Sequence, residues 1–287
     1  MRCPTCEADA APGEDVCPAG HALAGPDGVI RLLPEALRRE VDALEADVTT
    51  WRREQGRTPL PGAALRDLPF GDAVAGDAEW RLRRADLRLI RRELARLRPP
   101  RMGPLRVLDI GAWNGWLTAR LASDGHAATA LDLFAGPEAL GARHRMPGSW
   151  RAIQADPMDP GALGERFDAV ILDRCLAYQP DPVAAVRAAA MIIDPGGLVI
   201  ATGLAVPGDP ELARLRLDGE RVAFRARFGR ELLLRPASGV VDDALVDALR
   251  DAGMRMHDHP FLRIANLRAR VDTSRPRHRY GILDVPV

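Results

Sequence analysis

The sequence predicts an α/β protein with a Rossmann-like, seven-stranded open sheet and a small N-terminal metal-binding module. After residue 105, short apolar runs alternate with segments of helical periodicity, a pattern typical of a parallel sheet that is covered on both faces. Before residue 22, cysteines and a histidine occur in two short pairs. Such pairs have the spacing of a tetrahedral metal site.

The N-terminal module contains three of the four cysteines. Cys3 and Cys6 form a C-x2-C pair, and Cys17 and His21 follow as a C-x3-H pair. Sulfur and imidazole ligands from two such pairs converge on a tetrahedral zinc ion. Disulfides are the alternative, but no secretory signal precedes Cys3, and cytoplasmic thiols stay reduced. We therefore expect a structural zinc ion within residues 1–34 of a cytoplasmic protein.

Length and charge limit the classes of function. The 287 residues allow two units, and 40 basic against 40 acidic residues give no net charge. A neutral chain has no general attraction for nucleic acid or for an anionic membrane. Every basic residue is arginine, which excludes a catalytic lysine. We expect a soluble protein without a membrane partner, and its composition does not indicate an oligomeric state.

Prolines and helical periodicity predict the elements that precede the sheet. They are a short strand over 28–34 that closes the zinc module, a charged helix over 35–55, a connecting loop over 56–77 and an amphipathic helix over 78–97. The last helix is expected to stop at Pro99 and Pro100. We therefore divide the chain into the module at 1–34, a helical linker and lid region at 35–100, and the main domain at 101–287.

The main domain supplies the seven predicted strands. They cover 107–110, 127–133, 151–155, 169–172, 198–201, 254–262 and 278–285. Helices are predicted over 116–123, 182–193 and 242–252, while residues 214–234 fit either a helix or a strand.

The first main-domain strand runs into a glycine-bearing turn and then a helix. Asp109, Gly111 and Gly115 occur in this segment, and the backbone of such a turn approaches a bound nucleotide at the carboxyl edge of the sheet. Asp132 ends the second strand, 23 residues after Asp109, where an acid can accept both ribose hydroxyls. Asp156 follows the third strand, where a carboxylate could accept the adenine amino group. The three acids predict an adenosine-containing cofactor.

This arrangement resembles a class I S-adenosylmethionine-dependent methyltransferase. The matching motifs are V-L-D-I-G at 107–111, N-G-W-L at 114–117, Asp132, A-D at 155–156, F-D at 167–168 and D-P-G-G at 194–197. The resemblance covers residues 105–202, and some uncharacterised bacterial members of that superfamily also contain a zinc ribbon.

The resemblance implies a role for each matching position. Asp109 and Gly111 would hold the methionine end of S-adenosylmethionine, Asp132 its ribose and Asp156 its adenine. The adjacent residues complete the expected cofactor-binding set, namely Ala112, Trp113, Asn114, Leu133 and Pro157.

Trp113 departs from the family pattern, which usually has a small residue there. Either the turn bends away from the cofactor or the indole covers the methionine moiety. A dinucleotide-binding dehydrogenase is a rival, but the turn lacks the G-x-G-x-x-G spacing. A non-catalytic interaction protein of the same fold is a further alternative.

The methyl acceptor is expected beyond the fourth strand of the main domain. Asp173 and Tyr178 are the candidate catalytic residues, because either could orient or deprotonate a hydroxyl or an amine. Arg174 could hold an anionic group of the substrate. The alternative is that both residues are structural, with Asp173 capping a turn and Tyr178 packing against neighbouring side chains. His257 and His259 flank an aspartate, and we expect them on an exposed edge strand.

The acceptor class has two main interpretations. Neutral charge and the lid region favour a small molecule that is methylated on oxygen or nitrogen. The zinc module is instead similar to that of rRNA guanine-N1 methyltransferases, in which it helps to recognise RNA. Residues 1–34 contain Arg2 and Arg31 but five acidic residues, an acidic balance that would repel phosphates. We therefore favour the small molecule, with RNA as the alternative partner.

Overall fold

A computed structural model describes residues 1–57, 59–97 and 103–287. Its eight strands, in chain order, are β1 (Ile30–Arg31), β2 (Arg106–Ile110), β3 (Ala127–Asp132), β4 (Arg151–Gln154), β5 (Phe167–Asp173), β6 (Ile193–Val206), β7 (Arg255–Asp258) and β8 (Arg277–Asp284). They form one sheet in the order β1-β4-β3-β2-β5-β6-β8-β7. The strands from β1 to β6 run parallel, and β8 is antiparallel to both of its neighbours.

The seven predicted strands are all present, and β1 adds an eighth at the edge. Ile30 pairs with Ile153 of β4 and is also bridged to Ala24 of the N-terminal module. The predicted strand over 28–34 therefore extends the main sheet as well as closing the module. This correction has a physical cause: β4 would otherwise be an edge strand with unpaired backbone groups.

The helices are α1 (Glu35–Glu54), α2 (Gly62–Asp67), α3 (Ala78–Leu97), α4 (Trp116–Ser123), α5 (Pro182–Met191), α6 (Pro210–Phe228), α7 (Asp243–Asp251) and α8 (Arg263–Val271). The expectation of a loop over 56–77 is wrong in part, because α2 and a short 3₁₀ turn lie within it. Residues 214–228 of the ambiguous segment are helical. The predicted stop of α3 at Pro99 and Pro100 lies outside the described residues.

Alternating residues of the sheet fill two cores, one on each face. In β5 every residue is buried, with Val170 and Leu172 in one core and Ala169 and Ile171 in the other. This double burial explains the continuous apolar runs in the sequence.

The N-terminal module shares the first of these cores. Cys3, Cys17 and Leu23 belong to the same buried cluster as Ile153 and Leu163. The module, which is too short to bury a core of its own, therefore packs against one face of the sheet.

Among the described helices, none is long and apolar enough to cross a membrane.

Candidate functional site

The turn between β2 and α4 is held by backbone and carboxylate hydrogen bonds. The Gly111 N–H donates to the Leu131 carbonyl at 2.8 Å, and the Trp113 N–H donates to Oδ2 of Asp132 at 2.7 Å. Gly111 has a φ of 75°, and a side chain there would overlap Cys175. The turn thus needs glycine at this position for both conformation and space.

Asp132 lies at the end of β3 and joins two turns. Its Oδ1 atom accepts a hydrogen bond from the Phe134 N–H at 2.9 Å, while Oδ2 accepts the one from Trp113. Burial raises the pKa of Asp132 to about 6, although both hydrogen bonds favour its charged form. Because a carboxylate oxygen has two lone pairs, each oxygen can accept one further donor. This is the capacity that a ribose diol requires.

The Trp113 side chain packs against a phenylalanine and an arginine. Its ring centroid is 5.6 Å from that of Phe134 in a perpendicular arrangement, and the Arg52 guanidinium lies 4.7 Å above the indole. Trp113 has a φ of 50°, which is unusual for a bulky residue. Because the Trp113 N–H donates to Asp132, the turn has not bent away from this carboxylate. The hydrogen bond to Asp132 and the ring contacts keep this backbone in the conformation that glycine normally adopts.

The remaining predicted residues of this edge have structural partners. Asp109 is buried and accepts a hydrogen bond from the Thr118 hydroxyl at 2.7 Å. Asn114 accepts the Trp116 N–H at 3.2 Å at the start of α4. The other three members are Ala112, which is buried, Leu133, whose carbonyl accepts from Gln154, and Pro157, which is buried beside Asp156.

Two helices and a loop lie over the carboxyl edge of the sheet, and we call them the cap: α1, α6 and residues 229–240. The Trp51 ring of α1 packs edge-on against Phe224 of α6 at 5.9 Å. Glu45 of α1 accepts hydrogen bonds from the Ala135 and Gly136 N–H groups, each at 2.9 Å. Burial raises the pKa of Glu45 to about 7. These contacts fasten α1 to the loop that follows Asp132.

The cap also contacts Asp156, the predicted adenine-binding residue. The Arg235 guanidinium donates two hydrogen bonds to the Asp156 carboxylate, at 3.0 and 2.5 Å. Oδ1 also accepts the Met158 N–H at 2.9 Å. Oδ2 accepts only one of these hydrogen bonds and retains a lone pair for a further donor such as an adenine amino group.

A cavity of about 970 Å³ opens within the cap. Its walls come from α1, α6 and residues 229–237, and they include Leu44, Phe228 and Arg235. The cavity is open to solvent, and its lining does not include Asp132, Asp156 or Asp173. Arg235 lines this cavity and also donates its hydrogen bonds to Asp156.

The two predicted catalytic residues differ in their surroundings. Asp173 is buried at the end of β5, and its Oδ1 atom accepts a hydrogen bond from the Thr202 hydroxyl at 2.8 Å. Burial, followed by the charge of Asp86, raises the pKa of Asp173. Tyr178 is exposed, and within the described residues no hydrogen bond joins the two side chains. Asp173 is therefore a buried, hydrogen-bonded carboxyl group, whereas Tyr178 is a surface side chain.

Arg174, the next residue, belongs to a buried charged network. Its Nη2 atom donates to Oδ2 of Asp86 in α3 at 2.7 Å, and Nε2 of His259 lies 3.2 Å from the other carboxylate oxygen. Burial would raise the pKa of Asp86, but His259 and Arg174 outweigh it and lower the pKa. The expectation of an exposed His259 is wrong. β7 ends at Asp258, and the next residue turns inward to this network.

The predicted metal ligands form one cluster. The ligand atoms of Cys3, Cys6, Cys17 and His21 all lie within 4.8 Å of one another. The Cys6 and Cys17 sulfurs are 3.7 Å apart, and His21 Nδ1 is 3.4 Å and 3.8 Å from the Cys17 and Cys3 sulfurs. Zinc with bonds of about 2.0–2.3 Å in tetrahedral geometry requires ligand separations of about 3.5–3.8 Å. These three separations lie close to that range, and the cluster can therefore accommodate a zinc ion.

Sequence reasoning missed four residues that contact the predicted site: Arg52, Glu45, Asp86 and Arg235. Each lies far along the chain from its partner and within no recognisable motif. Helical periodicity does give a signal for two of them, because Glu45 and Asp86 occur on the apolar faces of α1 and α3. The contacts of Arg52 and Arg235 depend on tertiary packing that periodicity does not encode.

A sequence-family profile described as a methyltransferase domain matches residues 80–256, more than half of the chain. A ubiquinone biosynthesis O-methyltransferase of Pseudomonas aeruginosa (strain LESB58) is 33% identical over 98 residues, which are 33% of this chain and 42% of that enzyme. The corresponding enzyme of Stutzerimonas stutzeri (strain A1501) has the same identity and coverage. The chain thus spans less than half the length of these relatives.

Solved methyltransferase structures are also similar. Magnesium protoporphyrin IX methyltransferase from Synechocystis PCC 6803, with bound SAH, aligns over 83% of this chain and 99% of its own at 15% identity, with a TM-score of 0.48. The SAM-bound amino pentose methyltransferase CalS10 from Micromonospora echinaspora aligns over 42% and 51% at 28% identity, with a TM-score of 0.36.

The buried carboxyl group of Asp109 predicts a pH dependence of stability. Burial raises its pKa to about 8, from about 3.9 for an unfolded aspartate. Between these values the folded protein retains a proton that the unfolded chain releases, so the contribution to stability falls as pH rises, by up to about 1.4 kcal/mol per pH unit. Urea unfolding at about pH 5 and pH 8 should show a smaller fall for Asp109→Asn than for the wild type.

The exposed Asp251 supplies the control for that experiment. Asp251→Asn should leave the pH dependence of the free energy of unfolding unchanged. An Asp109→Asn protein with the wild-type slope would show that Asp109 is ionised in the folded state.

Proposed function

The chain belongs to the methyltransferase-domain family, and from this premise we propose that it transfers a methyl group from S-adenosylmethionine to a small molecule. The predictions of a class I methyltransferase domain and of its sheet are confirmed. The acceptor, the bound zinc ion and the role of each site residue are parts of the proposal.

The hydrogen bonding of Asp132 is the observation that carries this proposal. Its carboxylate lies at the carboxyl edge, next to the Gly111 turn, and each oxygen accepts one backbone N–H. Each oxygen therefore has the capacity for one hydroxyl donor. This capacity fits the ribose diol of S-adenosylmethionine.

When bound, S-adenosylmethionine supplies a methyl group on a positively charged sulfur. Transfer of this methyl group to an acceptor oxygen or nitrogen would leave S-adenosylhomocysteine and would require the acceptor to lose a proton. Asp173, at the carboxyl end of β5, beyond which the acceptor is expected, would accept that proton. Thr202 holds the Asp173 carboxylate in place, and the cap limits the access of water.

Two features support a small molecule over RNA as the acceptor. The relatives that match this chain are named as O-methyltransferases of ubiquinone biosynthesis. Residues 1–34 contain two arginines against five acidic residues, a charge balance that disfavours contact with phosphates.

Calorimetric titration with S-adenosylmethionine tests the proposal. The wild type should bind it, and Asp132→Asn should bind at least about tenfold more weakly, since it loses charged hydrogen bonds to the ribose. Asp251→Asn should bind like the wild type. A folded wild-type protein that binds neither S-adenosylmethionine nor S-adenosylhomocysteine would overturn the proposed function.

We also propose that Cys3, Cys6, Cys17 and His21 hold one structural zinc ion. All four positions of a tetrahedral ion are then filled by the protein, which leaves no position for substrate. The ion would fix the module against the sheet, where Cys3 and Cys17 are already part of the shared core.

Metal analysis and thermal unfolding test the zinc proposal. Mass spectrometry should find one zinc per wild-type chain and little in Cys17→Ser, whose melting temperature should also fall because metal binding contributes to folding. Cys175→Ala removes a buried thiol outside the cluster and should retain the metal. A folded wild-type protein purified from zinc-supplemented medium without zinc would contradict the proposal.

A further inference from the structure

The surface of α8 has an apolar stripe that no described part of the chain covers. Phe261, just before the helix, is 45% exposed, and Ile264, Leu267 and Val271 are 68%, 61% and 87% exposed. The opposite side of α8 is anchored by the buried Asn266, which bonds to the backbone of His278. The stripe is therefore a fixed feature of a packed helix.

Arginines flank this stripe on both sides. At 100° per residue, Ile264, Leu267 and Val271 fall within a 60° sector of the helix. Arg268 lies beside one margin of the sector, and Arg263 lies beside the other together with Arg270. Long arginine side chains at such positions can extend past the apolar stripe toward a charged surface.

These arginines have little internal compensation. α8 contains no acidic residue. Within residues 1–57, 59–97 and 103–287, Arg263 and Arg268 form no ion pair, and Arg270 lies 3.9 Å from Asp258. The face thus presents an apolar strip and positive charge together.

We propose that α8 docks this protein on a membrane surface that contains anionic phospholipids. An interfacial helix buries an apolar face at the level of the headgroups while flanking arginines contact lipid phosphates. A second copy fits less well, because a two-fold contact would bring the arginines of the two α8 helices together, and α8 has no acidic residue to pair with them. A nucleic acid would leave the four apolar side chains without an apolar partner.

The docking face adjoins the predicted acceptor side of the sheet. His259 precedes α8 and contacts Asp86, which in turn binds Arg174. The Phe261 N–H donates to Nδ1 of the same histidine at 3.3 Å. The proposal departs from the expectation of no membrane partner, because that expectation came from net charge, which is insensitive to the charge of one helix face.

Vesicle co-sedimentation tests the proposal. The wild type should bind vesicles that mix phosphatidylglycerol with phosphatidylcholine, bind pure phosphatidylcholine much more weakly, and lose affinity as salt is raised. The double variant Arg263→Gln/Arg268→Gln should bind about 20- to 30-fold more weakly, at about fivefold for each arginine. Ile264→Ser/Leu267→Ser should lose about tenfold or more.

Matched substitutions on α5 serve as controls. Met191 is 77% exposed and Arg187 is exposed, so Met191→Ser and Arg187→Gln should bind vesicles like the wild type. Thermal unfolding should confirm that every variant is folded. Failure of the wild type to bind anionic vesicles would overturn the proposal. A wild-type dimer that becomes a monomer in the Ile264→Ser/Leu267→Ser variant would also overturn it. So would a wild type that binds a single-stranded RNA tightly and does not bind the vesicles.

Discussion

The carboxylate of Asp132 connects the two turns that form the candidate cofactor site. One oxygen holds the Trp113 N–H and the other the Phe134 N–H. Without these bonds, two partly buried N–H groups would lack these partners. They also keep Trp113 at a positive φ and bring its ring against Phe134. A bulky residue can therefore occupy a glycine-like position without displacing the turn.

Buried carboxyl groups recur along the same edge of the sheet. Asp109, Asp132 and Asp173 end or nearly end parallel strands, and each accepts a hydrogen bond from a backbone N–H or a hydroxyl. Burial raises the pKa of all three. Two further acids fasten the cap to this edge: Glu45 accepts hydrogen bonds from backbone N–H groups, and Asp156 accepts them from Arg235. Acidic side chains thus supply both the candidate site and the contacts that hold the cap.

The sequence allowed accurate prediction wherever short-range signals determine structure. Helical periodicity located α3 at its observed limits, and the apolar runs located the central strands. The occurrence of an acidic residue at the end of a predicted strand also located Asp132 where the structure has it, at the end of β3. The pairing of β1 with β4 was missed because it joins Ile30 to Ile153 across more than one hundred residues, a contact that no local pattern encodes.

Residues that lie just beyond a strand, or whose partners are on distant elements, were the other source of wrong or missed predictions. His259 follows the last residue of β7, so the alternation of a strand no longer determines where it lies. Its partner Asp86 is on a separate helix, and their pairing depends on the packing of α3 against the sheet. The contact between Arg235 and Asp156 depends in the same way on the fold of the cap.

A crystal structure of the protein with zinc and S-adenosylhomocysteine would show whether Asp132 binds the ribose. We predict that the ribose hydroxyls lie within hydrogen-bond distance of Asp132 while the Trp113 N–H keeps its bond to the same carboxylate. A ligand bound away from the edge formed by Gly111 and Asp132, or a ribose that makes no contact with Asp132, would contradict it.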